Sequence, residues 1–389
     1  MGSDCLCGNK GHKISQTLSV KQNIDHFKLK IMERWFTFIC LLFFSIGGYS
    51  QPVNEGTVVT RTFLAPSIQN NKGGEDANRR ITVYLPSGYE KGNRRYPTIY
   101  FLHGFASDDN EMMEWLGFKR LMDSAIKSGK LKPMILVLPN SDTKYRGSFY
   151  TNSPLAGNWA DYIGKDVVDY VDKSFRTITH RDSRGLCGHS MGGNGALRIG
   201  MLYASTFSAV YAMSPGGMHF SNEFQVNHKA LKKLLQVRNM DSLLKKATPT
   251  TNFEEFPFFE MVFASLARAY SPDENNKLLQ AELPVRYEGK SMILKPEVLK
   301  KWEANFPINM VEDHLPGLKS LSALKIDWGR NEEFFHIPST AMQFSKKLEA
   351  YGVKHFAEEY IGTHVSHLDG FEGRIFTELL PFFDSYLRF

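Results

Sequence analysis

From residue 51 onward, short apolar runs bounded by turn residues alternate with longer amphipathic stretches. Pro97–Leu102, Met134–Leu138, Ser183–Cys187, Phe207–Met213, Leu324–Trp328 and His355–Tyr360 read as strands. Most are apolar without interruption, the pattern of strands covered on both faces of a parallel sheet. Two earlier β-branched or alternating runs, Thr57–Ala65 and Arg80–Leu85, flank the Gly/Asn-rich stretch Asn70–Asn78 and predict a hairpin-like opening. Helical spacing runs over about Glu111–Ser128, Trp159–Phe175, Gly193–Tyr203, Ser339–Tyr351 and Phe371–Tyr386. Strand–helix–strand alternation at this spacing predicts a doubly wound α/β fold with a mostly parallel sheet. In such a sheet ligands bind beyond the carboxyl ends of the strands, so the loops there should carry the chemistry. His219–Lys319 breaks the rhythm. It has helical patterns around His228–Lys246 and Glu260–Ala269, then Pro-containing connections and few strand signals. It is expected to be a helical cap insertion (about 219–319) within a single domain spanning 51–389.

The N-terminal 50 residues have a different character. Trp35–Gly48 is an apolar run too short for a comfortable bilayer span. It follows Lys28, Lys30 and Arg34 and ends in small residues before Gln51-Pro52, the order of a secretory signal peptide. Met32 would be a natural start, with 1–31 a leader ahead of it. Cleavage after Ser50 would leave Cys187 as the one cysteine, and therefore no intrachain disulfide. Export without disulfides suits a bacterial periplasm or the extracellular space, with no membrane association after cleavage.

Composition is ordinary for a globular protein, at 42% hydrophobic and 23% charged residues. The formal charge of +6 divides between leader and body, and the leader holds six basic against three acidic residues. No basic block or zinc-finger spacing stands out in the body, so nucleic acid is not an expected partner. Aromatics make up 13% of the chain, with 29 Phe, enough for an aromatic core and an aromatic binding cleft.

Gly188-His189-Ser190-Met191-Gly192 is G-x-S-x-G. It follows an apolar strand and opens the helical stretch at Gly193, the strand–turn–helix context of a nucleophile elbow. A serine hydroxyl is a weak nucleophile at neutral pH. It needs a base, a group to orient that base, and donors for the oxyanion. With such an elbow the order along the chain is Ser, acid, His. His364 directly follows the turn at Gly362-Thr363 and is the candidate base, ahead of His367. His336, within the acid loop, and His355, at a strand start, are less apt. The acid should follow the preceding strand, where Asp327, Glu332 and Glu333 stand. Asp327 falls at the strand end, and spacing alone does not separate the two glutamates. The oxyanion donors should be the backbone N–H of Met191 and that of Phe105, after Leu102-His103-Gly104.

Arg80–Tyr89, Tyr100–Gly104, Gly188–Gly193, Asp327–Gly329 and Gly362–His364 together resemble the putative-esterase (esterase D-like) family of α/β-hydrolases. Its members include S-formylglutathione hydrolases, feruloyl and acetyl-xylan esterases, enterochelin esterases and mycolyltransferases. The resemblance covers roughly Arg79–Leu387 and implies the α/β-hydrolase fold. It also implies Glu332 as the acid, three residues beyond Gly329 and two before Phe334. Gly147–Trp159 resembles secreted members and suggests Tyr150, Asn158 and Trp159 as substrate contacts. The implied activity is that of an exported serine ester hydrolase without metal or cofactor. Its substrate would be a small-molecule or oligosaccharide ester, with acetyl or hydroxycinnamoyl groups removed from polysaccharide. Three alternatives remain open: an acyltransferase using the same acyl-enzyme, a siderophore esterase, and a non-catalytic binding protein on the same scaffold.

Overall fold

The computed structural model describes residues 55–248 and 255–389. The leader, its signal sequence and Cys5, Cys7 and Cys40 lie outside the described residues. Eight strands form the central sheet: β1 (Thr57–Leu64), β2 (Asn78–Leu85), β3 (Thr98–Leu102), β4 (Ile135–Pro139), β5 (Arg184–His189), β6 (Ala209–Met213), β7 (Ala323–Gly329) and β8 (Phe356–Tyr360). Their order is β1-β2-β4-β3-β5-β6-β7-β8. β2 pairs antiparallel with both β1 and β4, and the remaining pairs are parallel. The hairpin-like opening and the mostly parallel sheet are both present.

The uninterrupted apolar runs have a direct cause. Successive residues of a strand point to opposite faces, and here both faces are covered. Tyr100, Leu102, Ile135, Val137 and Val210 enter one core, while Ile99, Phe101, Leu136, Leu138 and Tyr211 enter the other. Helices α1 (Asp109–Trp115) and α2 (Phe118–Lys127) cover the second face. The single helix expected over Glu111–Ser128 is broken between them, where Gly117 takes φ +63°. On the first face lies α3, which is α-helical over Trp159–Asp161 and Val168–Ser174 with a π segment over Tyr162–Val167 between. Helix α4 (Met191–Leu202) packs beside it.

The segment after β6 supplies α5 (Lys229–Gln236), α6 (Met240–Lys246), α7 (Phe258–Tyr270) and α8 (Pro296–Asn305). A hairpin of Val285–Glu288 with Ser291–Leu294, not expected from the sequence pattern, sits between the last two. Its interior is aromatic: Phe224 stacks on Phe263 at 5.2 Å and Phe220 on Trp302 at 5.9 Å. Helix α9 (His336–Ala350) follows β7 and α10 (Leu380–Tyr386) closes the chain. No helix among the described residues is long and apolar enough to cross a membrane.

Candidate active site

Ser190 occupies the one-residue turn between β5 and α4, with φ 60° and ψ −119°. That conformation is costly for a residue with a side chain and persists only where the surroundings enforce it. Here the Ser190 amide donates to Met213 O (3.0 Å) and its carbonyl accepts from Gly216 N (3.1 Å). A side chain on Gly192 would overlap the Leu102 carbonyl oxygen, and one on Gly188 the Gly192 carbonyl. The glycines of G-x-S-x-G are therefore demanded by the approach of α4 to β3 and of the turn to itself.

The loop after β8 carries His364, which is buried. Its Nδ1 lies 2.7 Å from Glu332 Oε2, and the Glu332 side chain is fully shielded from solvent. The carboxylate holds the ring proton on Nδ1 and leaves the Nε2 lone pair available. Glu333 also touches this residue, but at the backbone: its Oε2 accepts from His364 N at 3.0 Å. The two adjacent glutamates thus divide the work, one gripping the ring and the other the main chain. Across from them, His189 Nε2 donates to the His364 carbonyl at 2.8 Å. Phe334 stands edge-on to the imidazole at 4.8 Å. Burial holds the His364 imidazolium pKa well below its ordinary value and pushes the Glu332 carboxyl up. The first of these keeps the imidazole neutral at pH 7.

The Met191 amide opens α4 directly after Ser190 and the Phe105 amide lies on the loop after β3, and neither donates to another group among the described residues. The Phe105 loop is fixed by Ala106 N donating to Arg146 O at 2.7 Å.

The other acid and base candidates are placed elsewhere. Asp327 is buried and bound by Arg374 Nε (2.7 Å) and Tyr211 OH (2.6 Å). His355 Nε2 pairs with Ser345 Oγ at 2.7 Å. His367 sits at a bend with φ 59°, where its carbonyl accepts from Arg374 N.

Tyr150, Asn158 and Trp159 are not brought to the site. Tyr150 and Trp159 are fully buried: the Tyr150 hydroxyl donates to His103 O (2.9 Å), and Trp159 Nε1 to Ala156 O (2.6 Å). Asn158 is exposed, but none of the three lines the spaces around Ser190. An aromatic in this loop packs inward because the sheet end and α4 leave a core position there. Its neighbour Phe149 points to Ser190 instead.

Two spaces meet at Ser190. One is a narrow apolar pocket of about 40 Å³ walled mainly by phenyl rings, among them Phe149, Phe224 and Phe259. The other is a wider, open cleft of about 680 Å³ containing His364, Glu333, Arg146, Glu111 and Trp115. Phe105, Phe258 and Phe334 line both and form the wall between them, with Phe105–Phe258 centroids at 5.5 Å and Phe258–Phe334 at 5.2 Å. A second histidine–carboxylate pair, His336 Nδ1 with Glu223 Oε1 at 2.7 Å, borders the apolar pocket. Its Nε2 already accepts from Gly217 N at 3.1 Å, so it has no lone pair for a serine proton. The sequence pattern gives His336 only as a less apt base and Phe105 only for its backbone N–H, and it singles out neither the pairing with Glu223 nor the phenyl walls. Phe224, Phe258 and Phe259 lie in the segment after β6, whose path periodicity does not fix.

Known proteins place this arrangement. The chain is 30% identical over 142 residues to Esterase Rv1288 of Mycobacterium tuberculosis, covering 35% of this chain and 29% of that protein. It is 28% identical over 193 residues to an endo-1,4-beta-xylanase/feruloyl esterase of Xylanibacter ruminicola, covering 47% and 25%. The match thus spans under a third of the length of either relative. Among solved structures, a ferulic acid esterase superposes with TM-score 0.57 at 21% identity, covering 86% of this chain and 99% of that one. An S-formylglutathione hydrolase from Agrobacterium tumefaciens gives 0.52 at 14% identity, covering 86% and 97%. These likenesses identify the α/β-hydrolase fold. The putative esterase family matches residues 75–381, which span both cores and every loop that meets at Ser190, and the chain belongs to that family.

Proposed function

We propose that the protein is a carboxylic-ester hydrolase in which Ser190, His364 and Glu332 act as one unit. Ser190 Oγ attacks the ester carbonyl carbon while its proton passes to His364 Nε2. The carbonyl oxygen takes the negative charge and is held by the Met191 and Phe105 N–H groups. The carbon–oxygen bond to the alcohol then breaks, and His364 returns the proton to the departing oxygen. Water attacks the acyl-serine by the same route, releasing the acid and restoring Ser190. Glu332 keeps the imidazole in the tautomer this requires and stabilises the imidazolium as it forms. The observation that carries the reading is the buried 2.7 Å pairing of His364 Nδ1 with Glu332, on a loop that opens onto the same cleft as Ser190.

The open cleft suits a large alcohol portion. Trp115, 42% exposed, offers an aromatic surface, and Arg146, Glu111 and Glu333 offer hydrogen-bonding groups. Deacylation of a polysaccharide fits this cleft, in keeping with relatives described as feruloyl and acetyl esterases. The apolar run Trp35–Gly48 supports export of the enzyme, which N-terminal sequencing of the secreted chain would test. The catalytic reading is tested by labelling with a fluorophosphonate and by Ser190→Ala. Labelling should map to Ser190, and the variant should lose at least about 10³-fold in turnover with its fold intact. Unchanged turnover would refute it.

A further inference from the structure

The phenyl-walled pocket and the open cleft share Ser190. Ser190, Phe105, Phe258 and Phe334 line both the pocket and the open cleft, so the ester carbonyl sits at the junction. The alcohol needs the wide space, which leaves the acyl group to enter the pocket. Beyond Ser190, the one polar side chain on the pocket wall among the described residues is His336, and both its ring nitrogens are committed. Nδ1–H donates to Glu223 at 2.7 Å, and Nε2 accepts from Gly217 N at 3.1 Å. The neighbouring backbone is engaged as well. Gly216 N donates to Ser190 O, and the Gly216 and Gly217 carbonyls each accept from Asn194 Nδ2, at 2.9 and 3.0 Å. The rest of the side-chain lining is phenyl, aliphatic or thioether.

Among the described residues that line this pocket, a hydroxyl carried past Ser190 leaves water and meets no side chain with an uncommitted donor or acceptor. We infer that the enzyme selects acyl groups that are apolar to their tips, alkanoyl or unsubstituted arylalkenoyl, and discriminates against the phenolic hydroxycinnamoyl groups. The inference rests on Ser190 as the nucleophile. An unpartnered hydroxyl should lower kcat/KM about tenfold to a hundredfold. Each added methylene that the pocket buries should raise it about fourfold until the pocket is full.

The test compares cinnamate and p-coumarate esters of one alcohol, which differ by a single hydroxyl, together with acetyl, butyryl, hexanoyl and octanoyl esters. Each kcat/KM is divided by that ester's rate of alkaline hydrolysis, which removes the electronic effect of the substituent. A cinnamate preference above about fivefold, with rates climbing from acetyl to butyryl, is the expected result. A smaller preference, a preference for p-coumarate, or acetyl as the best alkanoyl group overturns the inference. Val262→Thr, which places a hydroxyl on the pocket wall, should narrow the cinnamate preference, whereas an unchanged ratio would count against this assignment of the acyl group. Ser190→Ala run beside these separates the two levels. If it retains turnover, the catalytic reading fails. If it is inactive and p-coumarate is still preferred, only the acyl selectivity is wrong.

Discussion

Replacing Glu332 with Gln keeps the size of the side chain and removes the charge that faces the imidazole. During attack the ring becomes an imidazolium with its Nδ1 2.7 Å from that carboxylate, whose side chain is shielded from solvent. Two unit charges with centres about 4 Å apart, at an effective dielectric constant of about 20, attract by about 4 kcal/mol. Loss of that attraction corresponds to roughly three orders of magnitude in rate. A Gln that turned its NH₂ toward Nδ1 would also force the wrong tautomer, so the expected loss is about 10²–10⁴-fold in kcat. Glu333→Gln is the matched control. Its amide oxygen can still accept from His364 N, and the residue is exposed. The expected loss there is less than about tenfold. Both variants would be assayed with one p-nitrophenyl ester, with circular dichroism to establish folding. A dead Glu333→Gln beside an active Glu332→Gln would refute the assignment of the two carboxylates.

Activity should depend on a neutral His364. Burial lowers its pKa from the ordinary value of about 6.5, so kcat/KM should be level near pH 7 and fall only on the acid side of that value; an acid limb centred above about 6.5 would contradict this. Stability should follow the same direction. His103 and His189 are also buried, with pKa values lowered to about 4 and about 3. An unfolded chain takes up these protons first, so stability is complete above pH 6.5 and declines as pH falls toward those values, which chemical denaturation at a series of pH values would measure. Asp327→Asn should destabilise the fold by about 1–3 kcal/mol, because it removes the buried carboxylate that Arg374 Nε and Tyr211 OH meet while Arg374 keeps Glu358 at 2.7 Å, and activity per folded molecule is retained. Thermal melting beside active-site titration separates these two quantities.

The parts of this molecule that are legible in its sequence are those where one residue pattern has one physical solution. The continuous apolar run at Pro97–Leu102 requires cover on both faces, and the two cores provide it. G-x-S-x-G requires close backbone approach, and Gly192 lies against Leu102. Strand order leads to His364 and to the loop that carries Glu332 and Glu333, whereas the preference for Glu332 comes from the family resemblance, since spacing leaves the two glutamates equal. Where a pattern has several solutions, sequence is mute. An aromatic beside an active-site loop can face the site or the core: Tyr150 and Trp159 face the core and Phe149 lines the apolar pocket. His336 stands at the start of α9, a position that does not reveal that the ring meets Glu223 from the segment after β6. The break at Gly117 was hidden because glycine can interrupt a helix or ride within it.

Beyond the ends of β7 and β8 the two loops stay joined through the main chain. Arg330 N donates to Tyr360 O and Asn331 N to Gly362 O, each at 2.8 Å, and Gly329 lies too close to Gly362 and Thr363 for any side chain to intervene. The spacing between the residues at 332 and 364 is thus set by peptide groups, which substitutions in the pocket and the cleft leave in place. Such a site is evolvable in a particular way. Mutation can re-line the pocket or the cleft residue by residue, trading one ester for another, without rebuilding the His364–Glu332 pair. Inheritance of the catalytic geometry and inheritance of substrate preference are therefore separable in this scaffold.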